Sequence, residues 1–552
     1  MAVAGDMIEI SPDADEAQLV KDIYTETQGP RKGIYLTFSQ AQGLLRHHNL
    51  LPPPTLSSSS SSTENIVHFT RLLYVPRGYN NRVYLATCSD GSEYVIRLGG
   101  RFWDHRKITN EEGALHLARQ ALGDVVRVPR FLATSVTGSH CRQRSQATAE
   151  AEGGNKKEPK GNTREEGENE KMDITLQYDY VIMDRLPGVP LDTVWDSMSL
   201  EDKKVVVDQV VEIFARLQSI VVDKIGNFVK ATENDDDGEQ STVSGSSNSC
   251  RPTFEVGALM EAPEGKGGPY SSWRAFVANN LRQEIQLMLT AEGDRFAVLR
   301  QYLPRLEALV DKIESGQLEA QFSAPNEKKS PFLHKDGIVP LVPSTSPSPS
   351  SQSHAAAIAH DGGDHPHHNE VEHQPNRPIR FMHGDFESRN MLVVGTRVTG
   401  LHDFEFAGAY PAEQEWCQSL EWITARAEDP FDEVIQESLR NLTDEQRAVR
   451  DYFLRGLQER HGVRPIGFVG CDGSSSSKEK KKEEDEKDEV VASTDSEEGG
   501  YLQYKVILYH LQVNVAPWWL RDTSSPELNE KETASLLNAA RSLDQALKFL
   551  GC

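Results

Sequence analysis

The stretch Phe381-Met-His-Gly-Asp-Phe-Glu-Ser-Arg-Asn-Met-Leu-Val-Val394, with Gly400-Leu-His-Asp-Phe-Glu-Phe406 just after it, constrains this chain more than any other. It sets two acids and an amide in a fixed order: Asp385, Asn390 five residues later, and Asp403 thirteen residues after that. Strand-like apolar runs, Met391–Val394 and Val398–Leu401, separate the last two, and Gly395-Thr396 between the runs predicts a hairpin. Such a hairpin returns Asn390 and Asp403 to the same end. The arrangement suits phosphoryl transfer. One carboxylate orients an attacking hydroxyl and accepts its proton. A second carboxylate and an amide oxygen hold metal ions that bridge nucleotide phosphates.

Upstream, Arg71–Val75, Arg82–Thr87 and Glu93–Leu98 are three short β-rich runs punctuated by Asn80-Asn81 and Asp90-Gly91. They predict a small antiparallel meander. Gly78-Tyr-Asn-Asn-Arg-Val lies between the first two runs. Its residues tolerate a tight backbone that lays amides over phosphates, although an ordinary hairpin turn has the same composition. Arg97 ends the third strand, and a helix is expected from about Thr109 to Leu122, with Glu111 or Glu112 near its start. A strand cation and a helix glutamate can pair in a cleft or as a plain surface salt bridge. Asp179–Gly188 reads as a buried strand running into a Pro-Gly turn, the expected shape of an interlobe hinge.

The rest divides into helices and segments too polar to fold. Ser199-Leu-Glu-Asp caps an expected helix with a core-like stripe at Val207, Val210, Val211, Phe214 and Leu217. Further helices are expected over Trp273–Leu289, Arg295–Ile313, Asn441–His461, Tyr501–Val513 and Ser535–Leu550. Residues 138–172, 234–249, 323–376 and 473–500 are expected to be disordered inserts. The third carries a scattered histidine tract whose default reading is a solvated insert, and Trp518-Trp519 read first as core packing. Residues 1–64 read as a partly disordered head, 65–187 as an N-terminal lobe and 188–552 as a helical C-terminal lobe.

Charge and cysteines bound the partners. With 59 basic and 84 acidic residues the formal net charge is -25, which disfavours nucleic acid and anionic membranes. No apolar run is long enough to cross a membrane, and the acidic start does not resemble a secretory signal. Six cysteines at 88, 141, 250, 417, 471 and 552 follow no framework, so a reducing, cytoplasmic setting is expected.

In this order, the meander, the strand cation, the helix glutamate, the hinge, His383-Gly-Asp385 with Asn390, and Asp403-Phe-Glu405 resemble the aminoglycoside phosphotransferase and choline kinase-like family. Arg97 in the third strand, Ile225-Gly-Asn-Phe228 and Pro517-Trp-Trp519 look most like its large fungal-type branch. The resemblance implies an α+β fold of the bilobal protein-kinase-like kind: an antiparallel sheet lobe with one helix and a larger, mainly helical lobe. It implies Asp385 as the catalytic aspartate, Asn390 and Asp403 as Mg2+ ligands, and His383 as a support of the catalytic loop. It further implies that Gly78, Asn80, Asn81, Arg97 and Glu111 serve the phosphates of ATP, and that Met183 to Leu186 offer hinge backbone to adenine. Arg97 departs from the usual kinase lysine and offers a planar fork in place of a point charge.

The expected function is an ATP- and Mg-dependent kinase that phosphorylates a hydroxyl of a small molecule. Glu405, Glu413 and Glu415 suggest a cationic acceptor on charge alone. The alternative is a catalytically weak or inactive kinase-like nucleotide-binding scaffold. A protein kinase is disfavoured, because no Ala-Pro-Glu element follows Asp403.

Overall fold

The structure, a computed structural model, describes residues 7–14, 16–24, 30–52, 67–78, 80–100, 106–135, 178–231, 254–259, 267–291, 295–323, 338–339, 379–411, 414–416, 419–424, 442–462, 468–469, 505, 507–517, 520 and 528–552. Strand β1 (Ile8–Glu9) and helices α1 (Glu16–Asp22) and α2 (Phe38–His47) precede the expected meander, which forms as β2 (Phe69–Val75), β3 (Asn81–Cys88) and β4 (Glu93–Gly99). Runs rich in β-branched and aromatic residues and the Asp90-Gly91 turn explain it. Gly91 takes φ +84, and the Asp90 carboxylate accepts the Ser92 amide at 2.9 Å. Helix α3 (Arg106–Leu122) and strands β5 (Phe131–Thr134) and β6 (Tyr180–Asp184) complete a six-stranded antiparallel sheet in the order β1-β2-β3-β4-β6-β5.

One face of this sheet is covered by the head of the chain. Ile10, Tyr24, Leu36, Leu44 and Leu45 are buried with Tyr84, Ile96 and Ile182 in one core. Thr37 starts α2 with a capping box through Gln40, which satisfies two orphan amides at once. The described part of residues 1–64 is therefore built into the sheet lobe.

The second lobe begins at β7 (Val189–Pro190) and centres on α4 (Leu200–Gln218), capped by Ser199 as expected. Its stripe Val207, Val210, Val211, Phe214 and Leu217 is core, packed with Phe386, Met391, Leu401 and Phe453. After it come β8 (Val221–Val222), β9 (Asn227–Lys230), β10 (Phe254–Gly257), α5 (Trp273–Thr290) and α6 (Leu303–Glu314). The one helix expected over 295–313 is two, Ala297–Arg300 and α6, because Pro304 lies at a helix start, where its missing N–H costs nothing.

Strand β11 (Ile338–Val339) precedes β12 (Ile379–Met382), β13 (Met391–Val394), β14 (Arg397–Leu401) and β15 (Gly408–Pro411), and the chain closes with α7 (Asp444–His461), β16 (Phe468–Val469) and α8 (Glu530–Phe549). The hairpin β13–β14 forms with its turn at Gly395, pairs on its other edge with β7, and is bolted to α4 by Gln209, which donates to Thr396 O at 2.8 Å and accepts from Val398 N at 3.0 Å. After Asp403 the chain first forms β15, which pairs with β12 from Ile379↔Pro411 to Met382↔Gly408.

The inserts 138–172, 234–249 and 473–500, the histidine tract and Trp518-Trp519 lie outside the described residues. Within 323–376, Ile338–Val339 pair with Phe468–Val469. Among the described residues no helix is long and apolar enough to cross a membrane. The fold is the expected one: an antiparallel sheet lobe carrying α3, joined at Asp184–Gly188 to a larger, mainly helical lobe.

Candidate active site

The hairpin does what its spacing predicts. Asn390 ends a short 3-10 turn before β13, and Asp403 follows β14, so both stand at one end. His402 N donates to Asn390 O at 3.0 Å and ties the two ends together. Asn390 donates its side-chain amide to Asp385 O and to Asp385 Oδ2, both at 2.8 Å. With that NH2 group used, its oxygen lone pairs remain for a cation. Asp403 adopts the left-handed conformation, φ 67 and ψ 58, one of two non-glycine residues to do so among the described residues. An aspartate held there signals strain stored at a site.

Below the loop, His383 is buried and neutral. Burial lowers it to about 3, and its Nδ1 accepts the Asp385 amide while Nε2 lies 3.2 Å from His402 O. This fits the expected supporting role. The amides of His383 and Gly384 both donate to Glu415, which also accepts from Ser419 Oγ. Burial pushes the Glu415 carboxyl up to about 7 against these three donors.

Across the cleft, Arg97 pairs with Glu111 through both guanidinium nitrogens, Nη1 reaching Oε1 at 2.9 Å, and both side chains are buried. The helix glutamate is therefore Glu111; Glu112 pairs with Lys230 instead. The same Nη1 lies 3.4 Å from Asp403 Oδ1 and joins the lobes. Burial first, and then Glu405, raise the Asp403 carboxyl well above its ordinary range, with Arg97 opposing. A cation beside it would relieve that crowding.

The loop before β3 has a task the spacing did not reveal. Gly78 takes φ +107 as a tight turn requires. Asn80 and Asn81, however, turn their side-chain amides onto Glu405, at 3.1 and 2.6 Å. Lys107 Nζ lies 2.5 Å from Glu405 Oε2 and 3.0 Å from Asn81 Oδ1. Burial alone would raise the Glu405 carboxyl, but Lys107 and then Arg97 outweigh it and hold it down to about 2. Lys107 escaped notice because α3 starts at Arg106, three residues before the expected Thr109.

Two more polar anchors were missed. Asn110 donates to Ala407 O at 2.8 Å and accepts from Phe228 N at 2.8 Å; Asn227 donates to Ala407 O at 3.1 Å. Ile225-Gly-Asn-Phe228 thus supports the backbone just after Asp403, and the Phe228 ring stacks on Phe381.

At the hinge, Met183 pairs with Val95 on one side and Phe131 on the other, and its side chain packs with Ile108 and Val181. Its backbone is therefore laddered, and it contributes a wall. Leu186 lies beyond the last ladder pair, and its amide bonds to none of the described residues. Glu405 and Glu415, which had suggested a cationic acceptor, are both turned inward onto protein donors, and Glu413 lies outside the described residues. The side chain that faces solvent at Asp385 is Arg389, 58% exposed, with Nη2 2.5 Å from Asp385 Oδ1.

A family profile described as "Phosphotransferase enzyme family" matches residues 72–336 and 357–452, well over half of the chain. A comparison with curated proteins finds no significant match. Among solved structures, the chain is similar to aminoglycoside phosphotransferase APH(4)-Ia in a ternary complex with AMP-PNP and hygromycin B, at 13% identity and TM-score 0.36, covering 87% of this chain and 94% of that one. It is also similar to ADP-bound APH(2'')-Ib, at 10% identity and TM-score 0.37 over 93% and 99% of the two chains. The streptomycin-ATP ternary complex of APH(2'')-IIa gives 9% identity and TM-score 0.37 over 92% and 99%.

Proposed function

Since the chain belongs to the phosphotransferase enzyme family, we propose that it transfers the γ-phosphoryl group of ATP, with Mg2+, to a hydroxyl of a small molecule. One observation carries the reading. Asp385, Asn390 and Asp403 stand together at the open end of one hairpin, and the buried Arg97–Glu111 pair reaches Asp403 from the other lobe. That is the equipment phosphoryl transfer needs, which is mostly positioning and charge stabilisation.

Asp385 takes the acceptor hydroxyl proton. Its Oδ2 is fixed by Asn390, while Oδ1 is held by an exposed arginine that an incoming hydroxyl can displace. Arg97, whose planar fork is taken up by Glu111, offers its charge and its remaining N–H donors to the inner phosphates. Leu186 offers an amide to the adenine edge. Asn390 Oδ1 and Asp403 would hold Mg2+. Among the described residues no three His, Cys, Asp or Glu side chains form a metal cluster, which agrees with a site completed by phosphate oxygens and water. Bound there, Mg2+ neutralises charge on the outer phosphates.

The test is Mg-dependent ATP consumption against a panel of hydroxyl-bearing metabolites. Wild type should turn over at least one acceptor. Asp385→Asn should keep nucleotide binding and lose roughly 10²- to 10⁴-fold in kcat, while Asp403→Ala should lose the Mg dependence of binding. A wild-type protein that shows no thermal shift with ATP and Mg2+ sinks the reading.

A further inference from the structure

At the hinge turn lies a cavity of about 280 Å3 lined by Gly123, Asp124, Arg127, Pro187, Arg397 and Thr399, among others; Asp385, Asn390 and Asp403 are not in its lining. It sits where three elements meet: the end of α3, the hinge turn and the hairpin β13–β14. The Leu401 amide donates to Arg127 O at 3.0 Å, and Thr399 Oγ1 to Pro187 O at 2.6 Å, so the cavity floor is fixed by bonds between these elements.

It presents two guanidiniums, Arg127 and Arg397, neither of which pairs with an acid among the described residues. The cavity's own acid, Asp124, is engaged by Arg216 at 2.6 Å. Two free planar forks in one concavity offer paired donors matched to phosphate oxygens, and a dianion satisfies both where a single carboxylate satisfies one. The volume accommodates a phosphate group with a small organic body.

We propose that this cavity is a second binding site, for a small phosphorylated molecule. It is separate from the catalytic cleft and does not depend on the phosphotransfer reading.

Calorimetric titration of the full chain with inorganic pyrophosphate, in the absence of divalent metal, tests it. Wild type should bind, and Arg127→Gln and Arg397→Gln should each weaken binding at least several-fold and together at least tenfold. Arg447→Gln, which removes an exposed arginine on α7, should leave binding unchanged. Both cavity arginines are exposed, so the variants should keep the wild-type melting temperature; Arg397→Gln alone decides the matter if the double variant does not fold. Equal losses in Arg447→Gln, unchanged binding in the cavity variants, no wild-type binding at millimolar pyrophosphate, or equal affinity for succinate at matched ionic strength would each overturn the proposal.

Discussion

Asn81 Nδ2 lies 2.6 Å from Glu405 Oε2, and Lys107 Nζ lies 2.5 Å from the same oxygen. The start of β3, the start of α3 and the segment after Asp403 are thereby closed into one buried triangle that spans both lobes. Removing one charge from such a set leaves the other without compensation.

Lys107→Met should therefore destabilise the protein by about 3–5 kcal/mol, and Glu405→Met by a similar amount. The double variant removes both charges and should cost well under the sum, with a coupling of at least about 1 kcal/mol. Urea unfolding of the four proteins checks this, and strictly additive losses would show that the pair is not a unit.

Arg97 offers a graded version of the same test. Arg97→Met strands Glu111, which is 1% exposed, and should cost about 3–5 kcal/mol. Arg97→Lys keeps the charge but loses the two-point grip, so about 1–2 kcal/mol is expected. If the methionine variant unfolds at the wild-type urea midpoint, the pairing contributes nothing to the fold.

What could be read from the chain was local. The hairpin was legible because two apolar runs and the Gly395-Thr396 turn lie within a dozen residues, and the return of Asn390 and Asp403 to one end follows from it. Lys107, Asn110 and Glu415 were not legible, because their roles depend on burial against other elements, hundreds of residues away in sequence for Lys107 and Asn110 and 31 and 32 residues away for Glu415. Glu415 reads as a surface acid by type; only packing shows it bonded to the amides of His383 and Gly384. Strand β15 was missed for a related reason: Gly408-Ala-Tyr-Pro411 has no alternation of its own, and its partner, β12, lies before the hairpin.

Gly384 and Gly395 both have positive φ, +78 and +60, but their surroundings differ. A Cβ on Gly384 would stand 2.3 Å from Phe406 O, whereas one on Gly395 would meet nothing within 4 Å. Gly395→Ala should cost only the left-handed strain, about 1–2 kcal/mol. Gly384→Ala adds a clash with backbone and should cost clearly more, while shifting the loop that carries Asp385. Equal urea midpoints for the two variants would remove the steric account.

Glu415 makes the fold sensitive to pH in a definite direction. Burial pushes its carboxyl from 4.5 up to about 7 in the folded protein, although two amides and a hydroxyl donate to it. Between those values the folded state binds the proton more tightly than the unfolded state does. The contribution is therefore fully present below about pH 4.5 and is lost as pH rises through 7. At about 1.4 kcal/mol per unit this amounts to roughly 3 kcal/mol at most. Glu415→Gln cannot ionise. It also replaces one acceptor oxygen with a donor facing the His383 or Gly384 amide, a cost that does not vary with pH. Wild type should therefore be the more stable protein at pH 5, and its advantage should shrink by roughly 2–3 kcal/mol by pH 8. Urea unfolding of both proteins at the two pH values measures that change. A gap that stays constant would mean that Glu415 is ionised throughout and that the three donors outweigh its burial.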